Sequence, residues 1–104
     1  MKKILLACNL GMSTSALVVR MEKAAQAKDL EVQIAALSIH EAERLIDEWD
    51  IILLGPQVRH HYKDLKAKVA GRIPVEIIDM RDYGMMNGEK VLNAALKALD
   101  DFHK

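Results

Sequence analysis

One thiol stands where the chain changes character. Cys8 follows the apolar run Ile4-Leu5-Leu6-Ala7 and precedes the run Asn9-Leu10-Gly11-Met12-Ser13-Thr14-Ser15. A short, continuous apolar run reads as a strand buried on both faces. Beyond Ser15, Leu17, Val18, Met21, Ala24 and Ala25 recur at helical spacing. Cys8 therefore leaves a strand through a small, polar loop toward the start of a helix. Unpaired backbone N–H groups converge at such a start and the helix dipole favours negative charge. Both stabilise a thiolate, and the same donors suit phosphoryl oxygens. Gly11 lets the backbone pass close to a ligand, and Ser13, Thr14 and Ser15 add hydroxyls to the amides. The chemistry that fits these residue types is attack by sulfur on phosphorus. A lone cysteine is more often a small buried hydrophobe; its place at a strand end ahead of this loop is what argues for function.

The elements that position it follow from the rest of the pattern. Val32, Ile34, Ala36 and Ser38 alternate as a second strand, and Ser38 with Glu41 has the spacing of a capping box. Ile39, Ala42, Leu45, Ile46 and Trp49 continue as one helix face to about Trp49. Ile51 to Leu54 is a second continuous apolar run, stopped by Gly55-Pro56. Val58, Tyr62, Leu65 and Val69 mark a helix closed by Gly71, and Val75 to Ile78 a last strand. Residues 79–88 read as a loop, and Val91, Leu92, Ala95, Leu96, Leu99 and Phe102 as the stripe of a final helix. Strands alternating with helices predict a small doubly wound α/β domain, a four-stranded parallel sheet with helices on both faces. Ligands in such sheets collect outside the carboxyl ends of the strands, and Cys8 lies on that rim.

Composition excludes several classes. With 104 residues, 51% of them hydrophobic, the chain makes one domain, residues 1–104, with a packed core. Fifteen Lys and Arg against fifteen Asp and Glu leave a formal charge of zero, with no electrostatic footprint for nucleic acid. One cysteine allows neither an internal disulfide nor a cysteine-rich zinc site. Met1-Lys2-Lys3 and the residues to Cys8 imitate a lipoprotein signal, but the apolar stretch breaks at Asn9, short of the roughly 7–15 residues needed. The expectation is a cytoplasmic, unprocessed chain with no direct membrane insertion.

Other chemistry finds less support. Gly11-Met12-Ser13 begins like a nucleophile elbow, but Ser15 takes the place of the closing glycine. His40 falls in a first helical turn, His60 and His61 are expected to point different ways on a helix, and His103 sits near a helix end. None has metal-ligand spacing; no metal or cofactor is expected. Arg59, Lys63, Lys66 and Lys68 read as a solvated helix face, and Met80, Met85 and Met86 either as a docking surface or as packing. Arsenate reduction needs a thiol relay that a single cysteine cannot supply. A Cys-dependent phosphatase places Arg after Cys and five further residues to clamp phosphate. That position is Thr14, and no basic residue lies between Cys8 and Ser15. Such a cradle should leave a phosphocysteine able to pass its phosphate on, so Thr14→Arg is expected to slow transfer or raise hydrolysis. A phosphatase-like domain or a phosphate-binding regulatory module is the alternative.

Cys8-Asn9-Leu10-Gly11-Met12-Ser13-Thr14-Ser15, with Leu54-Gly55-Pro56-Gln57, Ile78-Asp79 and Tyr83-Gly84, resembles the IIB component of the bacterial sugar phosphotransferase system, lactose/cellobiose branch. Asn9 and Leu10 stand where the motif has a small Ser-Ala pair. The resemblance spans essentially the whole chain. It implies the architecture of low-molecular-weight tyrosine phosphatases and a phosphoryl relay. Cys8 would be the nucleophile, accepting phosphate from a IIA phosphohistidine and passing it to a β-linked disaccharide held by the membrane-embedded IIC permease. Asn9, Leu10, Gly11, Met12, Ser13, Thr14 and Ser15 would bind the phosphate, with Gly55-Pro56-Gln57 walling the neighbouring edge. The domain would meet the inner face of the membrane only transiently, through IIC.

Overall fold

The computed structural model describes residues 1–9 and 12–104, and the side chains of all of these except Met12 and Ser13. Strands and helices alternate through β1 (Lys2–Cys8), α1 (Met12–Ala27), β2 (Val32–Ser38), α2 (Ile39–Arg44), β3 (Ile51–Leu54), α3 (Tyr62–Val69) and β4 (Val75–Ile77). Two further helices follow, α4 (Met80–Gly84) and α5 (Gly88–Phe102). The strands form one parallel sheet in the order β2-β1-β3-β4.

The apolar runs are continuous because the sheet is covered on both faces. Ile4, Leu6, Ile51 and Leu53 join a core with Leu17 and Met21 of α1 and Leu92 and Ala95 of α5. Leu5, Ala7, Ile52 and Leu54 belong to a second core with Ile39 and Ala42 of α2 and Leu65 and Val69 of α3. Successive residues of one strand thus feed opposite layers, as the period of two requires. The segment that imitates a signal sequence is the central strand, with Ile4 to Ala7 fully buried.

The expected boundaries need four corrections. α1 begins at Met12, so Ser13, Thr14 and Ser15 belong to its first turn and not to a loop. Hydroxyl residues are tolerated at a helix start, where amides lack intrahelical acceptors. Residues 79–88 are not a plain loop. The Asp79 side chain accepts from the backbone N–H of Arg81 at 2.9 Å and of Asp82 at 3.1 Å, which starts α4. The helix expected to run to Trp49 stops at Arg44, because Leu45 leaves helical geometry (φ −115°, ψ 19°); a 3-10 turn over Ile46–Glu48 then returns Ile46 to the core. Finally, His60 and His61 end the 3-10 stretch that runs from Pro56, across a kink at Val58, into α3, and their rings lie 4.3 Å apart, tilted by 43°. The capping box is present: Ser38 Oγ accepts from the Glu41 N–H at 3.2 Å, and Glu41 Oε1 accepts from the Ser38 N–H at 3.4 Å.

Two contacts tie the helices on each face together. α5 meets α1 at Gly88, where a Cβ would lie 2.4 Å from the Arg20 carbonyl carbon and 2.6 Å from the Met21 nitrogen. Backbone cannot yield as a side-chain tip can, so Gly88→Ala must push α5 off α1. We expect a loss of about 1–3 kcal/mol in urea unfolding. On the other face, Lys68 of α3 donates to Glu43 of α2 at 2.9 Å. This hydrogen-bonded ion pair holds the Glu43 carboxyl below its usual range against the opposing effect of desolvation, with His40 and His61 adding to the lowering. A carboxyl whose pKa falls on folding stabilises above its unfolded value, about 4.3, and loses that contribution as pH drops through the folded value. Glu43→Gln should therefore cost up to about 1 kcal/mol at neutral pH and progressively less as pH falls below about 4.3, read from urea midpoints across that range.

Candidate functional site

The strand order sets where the site can be. From β1 the chain moves outward to β2, and from β3 it moves outward the other way to β4, so the winding reverses between β1 and β3. A crevice opens at the carboxyl ends of the strands flanking such a reversal. Cys8 is the last residue of β1 and pairs in register with Ser38, the cap of α2. On its other side the Gly55 N–H donates to the Ala7 carbonyl at 2.9 Å, which carries the β1–β3 pairing one residue past the strand. The thiol is thus seated between two loop starts and is 2% exposed.

The Gly55 position shapes the wall beside it. A Cβ at this residue would lie 3.6 Å from the Cys8 Cβ, 3.6 Å from the Ala7 oxygen and 3.1 Å from Gln57 Oε1. Gln57 therefore folds back over Gly55 at the cysteine's edge of the sheet, and Pro56 opens the turn that carries it. Gly55, Pro56 and Gln57 thus lie at the edge of the sheet beside Cys8.

The expected phosphate-binding residues separate into distinct environments. Asn9 is an exposed bend just after Cys8, and Ser15 is exposed in the first turn of α1. Leu10 and Gly11 lie outside the described residues, as do the side chains of Met12 and Ser13. Thr14 is fully buried, and its Oγ1 lies 3.2 Å from the Tyr83 hydroxyl of α4. Either oxygen can donate in that pair. Position 14 is also where a phosphatase-type motif would carry Arg. A guanidinium there would have to displace the Thr14–Tyr83 contact and be buried, so Thr14→Arg reports on packing before chemistry.

Several other expectations resolve here. Met80 and Met85 are exposed, whereas Met86 packs against the α1–α5 core, so the three do not act as one surface. Arg59, Lys63, Lys66 and Lys68 are all exposed; Lys68 engages Glu43 and Lys66 donates to the Tyr62 hydroxyl at 2.9 Å. Among the described residues, no three His, Cys, Asp or Glu side chains gather as a metal site, and no helix is long and apolar enough to cross a membrane. Sequence reasoning missed the Tyr83 contact. Tyr83 is 69 residues from Thr14, so no local spacing could reveal it.

Comparisons with known proteins agree along the length of the chain. Residues 3–94 match the family model described as PTS system, Lactose/Cellobiose specific IIB subunit. The chain is 44% identical over 101 residues to the galactose-specific EIIB component of Lactococcus lactis subsp. cremoris, covering 90% of this chain and 93% of that protein. Identity is also 44%, with the same coverage, to the cellobiose-specific EIIB component of Lactococcus lactis subsp. lactis. It is 41% over 100 residues to the oligo-beta-mannoside-specific EIIB component of Bacillus subtilis, covering 95% of this chain and 97% of that protein. Among solved structures, the cellobiose-specific IIB protein of Borrelia burgdorferi superposes with a TM-score of 0.80 at 44% identity, covering 96% of this chain and 93% of that one. The lactose-specific IIB domain of Streptococcus pneumoniae gives a TM-score of 0.82 at 22% identity over 93% and 96% of the two chains, a likeness of fold.

The closeness of Gly55 to Cys8 is testable without any partner. Its backbone (φ −62°, ψ 150°) suits any residue, and only the flexible Gln57 side chain must move for a methyl group. Gly55→Ala should keep stability within about 1 kcal/mol. Alkylation of Cys8 by iodoacetamide should slow severalfold; an unchanged rate would show that the methyl does not crowd the thiol.

Proposed function

The chain belongs to the lactose/cellobiose-specific IIB family, the sugar phosphotransfer domains of the phosphotransferase system, and on that footing we propose that it carries phosphate as a phosphocysteine at Cys8. Its fold is the low-molecular-weight phosphotyrosine phosphatase-like one. The observation that carries the proposal is the position of Cys8: the only cysteine of the chain ends a central strand at the winding reversal, four residues before the helix that begins at Met12.

The relay has two displacements at phosphorus. In the first, the Cys8 thiolate attacks the phosphoryl group on a IIA histidine. The S–P bond forms as the P–N bond breaks, and the imidazole nitrogen leaves with the bonding pair. In the second, a hydroxyl oxygen of a sugar held by IIC attacks the same phosphorus. The O–P bond forms, the thiolate leaves with the S–P pair, and the hydroxyl proton passes to a base on the permease side. Charge spreads over the three equatorial oxygens in each transition state, so catalysis consists of positioning and donor placement. First-turn amides of α1 suit that task because a helix start leaves them without intrahelical acceptors. Asn9, Leu10, Gly11, Met12, Ser13, Thr14 and Ser15 form the cradle in this reading.

Sugar choice belongs to the permease in the same reading. The galactose-, cellobiose- and oligo-beta-mannoside-specific relatives are 41–44% identical to this chain, so overall likeness does not sort them by sugar. We assign the β-linked disaccharide class, an action on the cytoplasmic side of the membrane, and transient contact with the membrane through IIC.

Incubation with phosphoenolpyruvate, the general relay proteins and a cognate IIA should add one phosphoryl group by intact mass, lost in Cys8→Ser. Addition of IIC and sugar should remove it. A native chain that stays unlabelled beside a phosphorylated IIA would overturn the relay and return the domain to phosphate binding or hydrolysis.

A further inference from the structure

We propose that Tyr83 is a positioning residue for the phosphate on Cys8, acting through the Thr14 hydroxyl; this rests on the phosphocysteine reading above. Thr14 is the third residue of α1, and Tyr83 lies in α4, beyond the last strand. Their oxygens meet at 3.2 Å with Thr14 fully buried and Tyr83 8% exposed. A buried threonine hydroxyl in a first helical turn has other uses: it can rotate to accept from a nearby amide or bond its own turn. Tyr83 restricts that freedom. A hydroxyl has one proton to give and two lone pairs to receive with. With the phenol donating to Thr14 Oγ1, the Thr14 proton is left to donate elsewhere, and the acceptor assigned to it is a phosphate dianion on Cys8, six residues earlier in the chain.

The seat of the phenol is itself fixed. The Asp79 carboxylate caps α4 directly after β4, and the Ile78 N–H donates to the Leu54 carbonyl at 2.8 Å, which ties this entry to the end of β3. Tyr83 packs in the core shared by α1 and α5. The phenol is therefore held by the sheet edge that also holds Cys8. Thr14 is oriented by an element that contributes nothing to the cysteine loop.

Single-turnover phosphorylation by phosphorylated IIA, followed by intact mass, tests this with Tyr83→Phe, Thr14→Val and the double variant, each checked for folding by thermal melting. We expect Tyr83→Phe to slow phosphocysteine formation about tenfold, the loss of one orienting hydrogen bond, and to move the phosphorus-31 resonance of the phosphocysteine. Thr14→Val should slow it at least as much. In the Thr14→Val background Tyr83→Phe should have no further effect, since its route to the phosphate is already gone. Folded Tyr83→Phe with native rate and resonance overturns the proposal, as do additive effects in the double variant. If Tyr83→Phe does not fold, Thr14→Val still decides: native rate and resonance in that variant show that the hydroxyl does not reach the phosphate, and slowing with a moved resonance supports the proposal. Failure of the native chain to label, by contrast, overturns the phosphocysteine reading itself.

Discussion

The pairing of β1 on both sides is the constraint from which the cysteine edge follows. Seven residues of β1 pair with β2 and four with β3, and the Gly55 N–H adds a bond to Ala7 beyond the last paired residue of β3. Within that strand Ile4 to Ala7 have no exposure, so breaking a bond there leaves polar groups that water cannot reach. Sideways movement of Cys8 is thereby tied to disruption of the sheet. In the relay proposed above, a nucleophile that must meet two different partners at the same phosphorus gains from a seat that does not shift between them.

The two faces of the sheet divide the remaining work. α1 and α5 close against each other at Gly88, and the first turn of α1 follows the cysteine loop. α2 and α3, with the turn from Pro56, cover the opposite face and carry His40, Arg59 and His60 in exposed positions after the ends of β2 and β3. Of these, Arg59 carries a fixed positive charge after the end of β3, outside the cysteine loop. The zero formal charge of the whole chain hides this local arrangement. It also fits transient association, because exposed rim charges govern encounter more than lifetime.

What the sequence disclosed, it disclosed where one local rule dominated. Ile4 to Ala7 and Ile51 to Leu54 are apolar without interruption because each residue faces a covered side, and the strands lie where those runs are. Ser38 and Glu41 cap α2 through contacts three residues apart, within the reach of a spacing rule. The start of α1 was hidden because a first turn needs no apolar face, and Ser13-Thr14-Ser15 looks as much like a loop as like a helix start. α4 was hidden by its length: five residues cannot show a period of 3.6, although Asp79 followed by Asp82 has the spacing of a cap. The close, tilted imidazoles of His60 and His61 depend on a junction between two kinds of helix, which composition does not encode. Thr14 and Tyr83 meet only because the sheet order brings the entry to α4 beside the start of α1. Such a contact belongs to topology, and topology is where reading by local pattern stops.

That contact also bears on why a carrier can share its architecture with hydrolases. A guanidinium in the cradle is always charged and grips phosphate through two parallel bonds, which stabilises the spreading charge for any nucleophile that arrives, water included. A threonine at the same place offers one neutral hydroxyl, packed against Tyr83. In the phosphocysteine state proposed above, the phosphoryl group is held in position while the charge needed to move it is withheld. A partner that brings its own cations or an acidic proton would supply the missing stabilisation only when docked. In that proposed relay the neutrality of the loop sets the order of events: phosphate moves when a partner is present and rests on sulfur when none is.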